Sequence, residues 1–143
     1  MTVSIFRLDP SVNLPRYETP GAAGFDLAAS VDITVAPNEV ALVPTGLVIG
    51  VPPGHFLGVF ARSSTPLKRG LMVANGVGVV DSDYCGAKDE IKVQVLNFTT
   101  APVTVKKGDR IAQGVVLPFI RVDWQEVADA PGLTRGGFGS TDK

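Results

Sequence analysis

The residues best suited to chemistry in this chain are carboxylates, and the most telling is Asp81. It follows the apolar run Val77-Gly78-Val79-Val80 and leads into Ser82-Asp83-Tyr84-Cys85-Gly86. A carboxylate fixed at the end of a buried strand, partly desolvated, suits a general base that orients a water. The same residues would equally begin an ordinary turn. Asn75-Gly76 stands between Leu71-Met72-Val73-Ala74 and Val77 to Val80, and predicts a hairpin. Such a hairpin either does nothing more than turn, or opens a recess whose main-chain groups, helped by the Asn75 amide, meet the edge of a planar base. Arg62-Ser63-Ser64 lies where a short helix could begin, which makes either a phosphate cradle or a serine N-cap beside a surface arginine. Arg135-Gly136-Gly137-Phe138-Gly139-Ser140-Thr141 resembles a phosphate loop only in composition, since it lacks the lysine and the following helix.

Covalent and cage-metal chemistry are poorly provided for. The single histidine, His55, adjoins a Pro-Pro-Gly turn, and the single cysteine, Cys85, has no evident base. Clusters of Cys and His are absent, so a metal would be a hard ion held by oxygens, most simply Mg²⁺ carried by phosphates.

The elements that must position these groups are short and β-rich. Segments of Val, Ile and Leu recur at Val3 to Leu8, Val31 to Val35, Glu39 to Val43, Leu47 to Val51, His55 to Phe60, Val77 to Val80, Ile91 to Asn97, Val103 to Val105, Ile111 to Pro118 and Ile120 to Trp124. Turn formers such as Pro52-Pro53-Gly54 and Lys107-Gly108-Asp109 separate them. This spacing predicts an all-β, antiparallel jelly-roll-like barrel or sandwich. Only Ser64 to Arg69 could be helical, for a turn or two. One β domain over residues 1–129 is expected, followed by a glycine-rich arm, 130–143, that buries little and is expected to be mobile.

At 143 residues the chain can bury a core without disulfides or structural metal. Apolar residues make up 45% and charged residues only 19%, lean for a small monomer, so some apolar surface is expected to lie between subunits. A net charge of −1 and no basic stripe argue against nucleic acid as partner. The N-terminus has neither a basic nor an apolar leader region, and no apolar run approaches the ~18 residues of a membrane helix. A soluble, cytoplasmic protein is expected.

Taken in order, five segments resemble the motifs of the trimeric dUTPase family, over essentially the whole chain. They are Ala23-Gly24-Phe25-Asp26-Leu27; Arg62-Ser63-Ser64 with Lys68-Arg69-Gly70; Asn75 through Gly78 and Asp81 to Tyr84, then Gly86; Gly108-Asp109-Arg110-Ile111-Ala112-Gln113; and Arg135 through Phe138, Gly139, Ser140 and Thr141. The resemblance implies a dUTP diphosphatase, making dUMP and pyrophosphate, with Mg²⁺ bridging phosphate oxygens. It implies that Asp81 activates the water that attacks the α-phosphorus. Tyr84 would pack on the deoxyribose, and Asn75 with the backbone near Gly78 would read uracil. Arg62, Ser63, Ser64 and Gln113 would hold the phosphates, with Asp26 fixing Arg62 by an ion pair. Phe138 would close over the base while Arg135, Gly139, Ser140 and Thr141 meet the terminal phosphate. It also implies a homotrimer whose sites are shared between subunits.

The chain departs from the family pattern in five places, one of them Asp142, which replaces a usual glycine and adds a negative charge near the phosphates. Ser64 stands where most members carry glycine, Gly114 stands where a larger apolar residue is frequent, and the turn from Cys85 to Glu90 is two residues longer than usual. Arg135 lies three residues before Phe138 where the common spacing is about five. Two alternatives follow from the same residues. A dCTP deaminase of the same fold would need a glutamate shuttle where this chain has Gln94, which cannot move protons. A non-catalytic nucleotide-binding trimer would not need Asp81, Tyr84 or the arm.

Overall fold

The computed structural model describes residues 1–134, 136 and 137, and all its strand pairs are antiparallel. In chain order the elements are β1 (Ser4–Arg7), β2 (Phe25–Ala28), β3 (Ile33–Val35), β4 (Val40–Pro44), β5 (Leu47–Gly50), β6 (His55–Ala61), α1 (Ser64–Arg69), β7 (Leu71–Val73), β8 (Gly78–Val80), β9 (Lys92–Asn97), β10 (Val103–Val105) and β11 (Arg110–Pro118). They form a four-stranded sheet, β2-β11-β6-β8, a three-stranded sheet, β4-β9-β7, and two ribbons, β1-β5 and β10-β3. The expected all-β jelly-roll-like class with one short helix is what the chain adopts.

Alternation along the strands builds the core. Phe25 and Leu27 of β2, Val93, Val95 and Asn97 of β9, and Leu71 and Val73 of β7 point inward, with Leu57, Val59 and Ile111 between the layers. Each large side chain so buried stabilises by about 1.5–3 kcal/mol. Asn97 is fully buried, and its amide donates to the carbonyls of Val35 and Ala101 while its oxygen accepts from Thr99. No buried polar atom is thereby left without a partner at this joint between β9 and the next turn.

Packing explains one departure from the family pattern. Gly114 of β11 pairs with Phe25, and a Cβ at Gly114 would stand 2.5 Å from the Phe25 ring. The aromatic ring occupies the space that a larger residue at position 114 would need.

Several sequence expectations are corrected. Leu71 to Val73 and Gly78 to Val80 do not form a hairpin with each other. β7 pairs with β9 and β8 pairs with β6, so Asn75-Gly76 is a turn that carries the chain from one sheet to the other. Gly76 takes φ 72°, a left-handed turn conformation that suits glycine. β8 is an edge strand rather than a buried one, with Val79 64% exposed. Ile120 to Trp124 is not a strand, because among the described residues no segment lies beside it to complete a ladder; Ile120 and Trp124 are almost fully exposed. Phe25 to Ala28, a strand, escaped the sequence reading because its four residues include an aspartate and stand among turn residues. Cys85 is exposed.

Candidate active site

The switch between sheets creates a recess. Because β7 and β8 leave Asn75-Gly76 toward different sheets, a cavity of about 440 Å³ opens between them. Val59, Gly78, Val79 and Val80 form one wall, Val73, Leu42, Lys92 and Gln94 the other, and Asn75, Asp81, Tyr84 and Glu90 stand around it. Gly78 keeps this wall thin, since a Cβ there would approach the Val59 Cβ to 3.1 Å and the Asn75 amide nitrogen to 3.6 Å. The structure therefore brings together Asn75, Gly78, Asp81 and Tyr84, residues whose types suit recognition of a planar polar ligand and activation of a water.

The turn after β8 sets the outer rim. The Tyr84 N–H donates to the Asp81 carbonyl at 3.2 Å, and the Tyr84 hydroxyl reaches the Glu90 carbonyl at 3.5 Å. The longer segment that follows is closed by its own bonds, with the Gly86 N–H donating to the Asp89 carboxylate at 2.7 Å. Glu90 ties the segment back to the body by accepting from the Gly46 N–H at 2.8 Å. Asp81 itself is exposed, not desolvated as its apolar neighbours suggested, because β8 is an edge and its far side is open. Among the described residues its carboxylate has no ion-pair partner.

A second group gathers at the other end of β6. Ala112 pairs with Ala61, so Arg62 leaves the sheet beside the start of β11. The Arg62 Nε lies 2.6 Å from Asp26 Oδ1, and its terminal nitrogen donates to the Arg110 carbonyl at 3.3 Å. The Gln113 amide donates to the Ala61 carbonyl at 2.9 Å. Gly24 gives that side chain room, since a Cβ there would meet the Gln113 Oε1 at 3.0 Å. Ser63 precedes α1 in helical conformation and makes no side-chain cap bond, so the serine N-cap reading does not hold. Thr65 fastens the helix instead, its hydroxyl donating to the Ile111 carbonyl at 3.2 Å.

Three charged residues of this region were not singled out from the sequence. Asp109 accepts from Arg69 at 2.7 Å and from the Lys106 N–H at 2.9 Å, joining the last turn of α1 to the turn before β11. The Arg69 hydrogen bond, with the Lys106 N–H behind it, holds the Asp109 carboxyl below its usual range. Arg110 bridges Asp26 at 2.9 Å and Glu18 at 3.2 Å. Asp109 and Arg110 stood inside the fourth motif, where a signal existed; Glu18 had none. Arg135, Phe138, Gly139, Ser140 and Thr141, expected at the terminal phosphate and base, lie outside the described residues.

The chain as a whole has counterparts among known proteins. A family model described as dUTPase matches residues 11–142. The chain belongs to the dUTPase family. It is 45% identical to a deoxyuridine 5'-triphosphate nucleotidohydrolase of Anaeromyxobacter sp. (strain Fw109-5), over 100% of this chain and 99% of that one. It is 48% identical to the enzyme of the same name from Desulfitobacterium hafniense (strain DSM 10664 / DCB-2), over 97% and 93%. The crystal structure of dUTPase from Streptococcus mutans, 35% identical, superposes with a TM-score of 0.78 over 87% of this chain and 100% of that chain. The family expected from the five motifs, and with it the class of enzyme, dUTP diphosphatase, is borne out.

Proposed function

We propose that the chain hydrolyses dUTP to dUMP and pyrophosphate through a water activated by Asp81. The recess carries this reading: it presents an exposed carboxylate, an amide and a tyrosine around a space fit for one nucleoside. Asp81 orients the water and takes its proton as oxygen bonds to the α-phosphorus. The bond to the bridging oxygen breaks, and pyrophosphate leaves. Asn75 and the backbone at Gly78 read the uracil edge, whose donors and acceptors are exchanged in cytosine. Tyr84 packs on the deoxyribose and leaves no room for a 2′-hydroxyl.

Arg62, Ser63, Ser64 and Gln113 hold the phosphate chain, with Asp26 supporting Arg62. The arm, residues 130–143, closes the site, Phe138 over the base and Arg135, Gly139, Ser140 and Thr141 on the terminal phosphate. Among the described residues no three His, Cys, Asp or Glu side chains come together to hold a metal. A Mg²⁺ ion would accordingly be held by phosphate oxygens, and the chemistry it supplies is the offset of their charge.

A homotrimer with shared sites belongs to this reading, and the register of β6 supports it. Val80, next to Asp81, pairs with Leu57, whereas Arg62 lies beyond the opposite end of the strand. From Leu57 to Arg62 the extended chain runs about 17 Å. Attack needs water and phosphorus within about 3.5 Å, and this separation favours a phosphate-gripping Arg62 supplied by another chain. The alternating exposed residues Ile120, Val122 and Trp124 offer apolar area for such an assembly. No helix among the described residues is long and apolar enough to cross a membrane; action in the cytoplasm, on free nucleotide rather than nucleic acid, is part of the same proposal.

The test is to incubate the protein with dUTP, UTP, dCTP and dTTP in the presence of Mg²⁺. Pyrophosphate release from dUTP alone is the expected result. Deamination of dCTP would instead favour the deaminase alternative, against which Gln94 in the recess wall argues.

A further inference from the structure

We infer that Arg110 is a positioning residue for Arg62, held in place by Glu18; this rests on the proposed role of Arg62 at the phosphates. The sheet itself has been altered to bring Arg110 there. Gln113 pairs with Asp26 and Arg110 pairs with Ala28, two residues further along β2. Asp26 and Ala28 share a face, so Gln113 and Arg110 share it too, although they are three residues apart. Only the irregularity between Arg110 and Ala112 makes this possible, one extra residue that re-aims the side chain before it. Without it, Arg110 would point to the opposite face from Asp26.

The consequence lies in how Asp26 is divided. A guanidinium and a carboxylate left to themselves tend to form two parallel hydrogen bonds. Here Asp26 gives one oxygen to each arginine, Oδ1 to the Arg62 Nε at 2.6 Å and Oδ2 to Arg110 at 2.9 Å. Arg110 also accepts from the Arg62 terminal nitrogen through its own carbonyl, at 3.3 Å. Arg62 is thus held at two points while the rest of its fork stays free for phosphate. Glu18, 3.2 Å from the same Arg110 nitrogen, supplies the negative charge that keeps Arg110 from turning to the phosphates itself.

Stability is a poor reason for the arrangement. Arg110 and Glu18 side chains are 47% and 60% exposed, and ion pairs of that kind contribute little to folding. Orientation of Arg62 is what the four alternating charges achieve.

The test compares Arg110→Ala, Arg110→Lys and Glu18→Gln with the unaltered protein, each also in an Arg62→Ala background. The readouts are dUTP turnover, thermal midpoint, and affinity for a non-hydrolysable dUTP analogue and for deoxyuridine. Arg110→Ala is expected to weaken analogue binding and lower kcat/KM about tenfold, the order of one charge-assisted hydrogen bond, while deoxyuridine affinity stays unchanged. Arg110→Lys, which keeps the charge and loses the fork, is expected to recover only part of this. Glu18→Gln, at an exposed position, should show a smaller loss of the same kind. In the Arg62→Ala background none of the three should add a further loss. Losses that add to that of Arg62→Ala, or a lowered thermal midpoint with analogue affinity unchanged, would overturn the inference alone. A native protein that neither turns over dUTP nor binds the analogue would overturn the functional reading, and this inference with it.

Discussion

The two ends of β6 are built in opposite ways. At the Arg62 end charged side chains engage one another: Asp26 serves two arginines, Glu18 holds one of them, and Asp109 locks α1 to the turn before β11. At the Asp81 end the carboxylate is exposed on an edge strand and, among the described residues, has no ion-pair partner. The difference fits the two tasks proposed for these ends. A guanidinium that grips phosphate must be aimed before the ligand arrives, because a free arginine would lose rotamer entropy on binding. A base must keep a lone pair free for a water, and a partner cation there would compete for it.

Substitutions at each end should separate these tasks. Asp81→Asn keeps the shape and removes the base, so kcat is expected to fall about 10³-fold with little change in affinity for a non-hydrolysable analogue. Full activity in this variant would remove Asp81 from the chemistry. Arg62→Ala should lower kcat/KM about a hundredfold and weaken analogue binding with it, the reverse of the Asp81 pattern. If both variants lose turnover but neither loses affinity, the division between holding and reacting fails.

Truncation after Gly132 removes the proposed lid, and a drop in kcat/KM of about tenfold is expected with the thermal midpoint unchanged. Unaltered kinetics would show that the recess works without the arm. The smallest effect concerns Asp109. Its carboxyl is held below the usual ~3.9 by Arg69, so its contribution to stability is complete above that pH and is lost as pH falls through the folded-state value. The thermal midpoint of Asp109→Asn should therefore fall less steeply as the pH drops below about 4 than that of the unaltered protein. Parallel curves would mean that the lock contributes nothing at this end.

Much of the fold was legible because the apolar periodicity is local. Nine of the ten strands read from the sequence are present near their expected bounds, and Ser64 to Arg69 is the helix. What could not be read was pairing. Asn75-Gly76 looks like a hairpin from its own neighbours, and only the competing partners β6 and β9 decide that its arms part. The recess exists because of that parting. Ile120 to Trp124 has a strand's alternation but no partner among the described residues, so periodicity alone misled. At the site, motif residues were legible one by one, yet the Asp26 to Arg110 contact depends on a register irregularity, and Glu18 meets Arg110 only through the path of an irregular loop. Neither leaves a mark on spacing.

The central claim is that Asp81 and the Arg62 group serving it come from different chains. The most direct measurement is to co-express Asp81→Asn with Arg62→Ala, each nearly inactive alone, and assay the mixed assemblies for dUTP hydrolysis. If sites are shared around a trimer, every mixed trimer holds one site with both residues intact, and random assembly should restore about a quarter of the activity of the unaltered protein. Activity no greater than that of the two variants assayed separately would place both residues of each site in one chain and contradict the account.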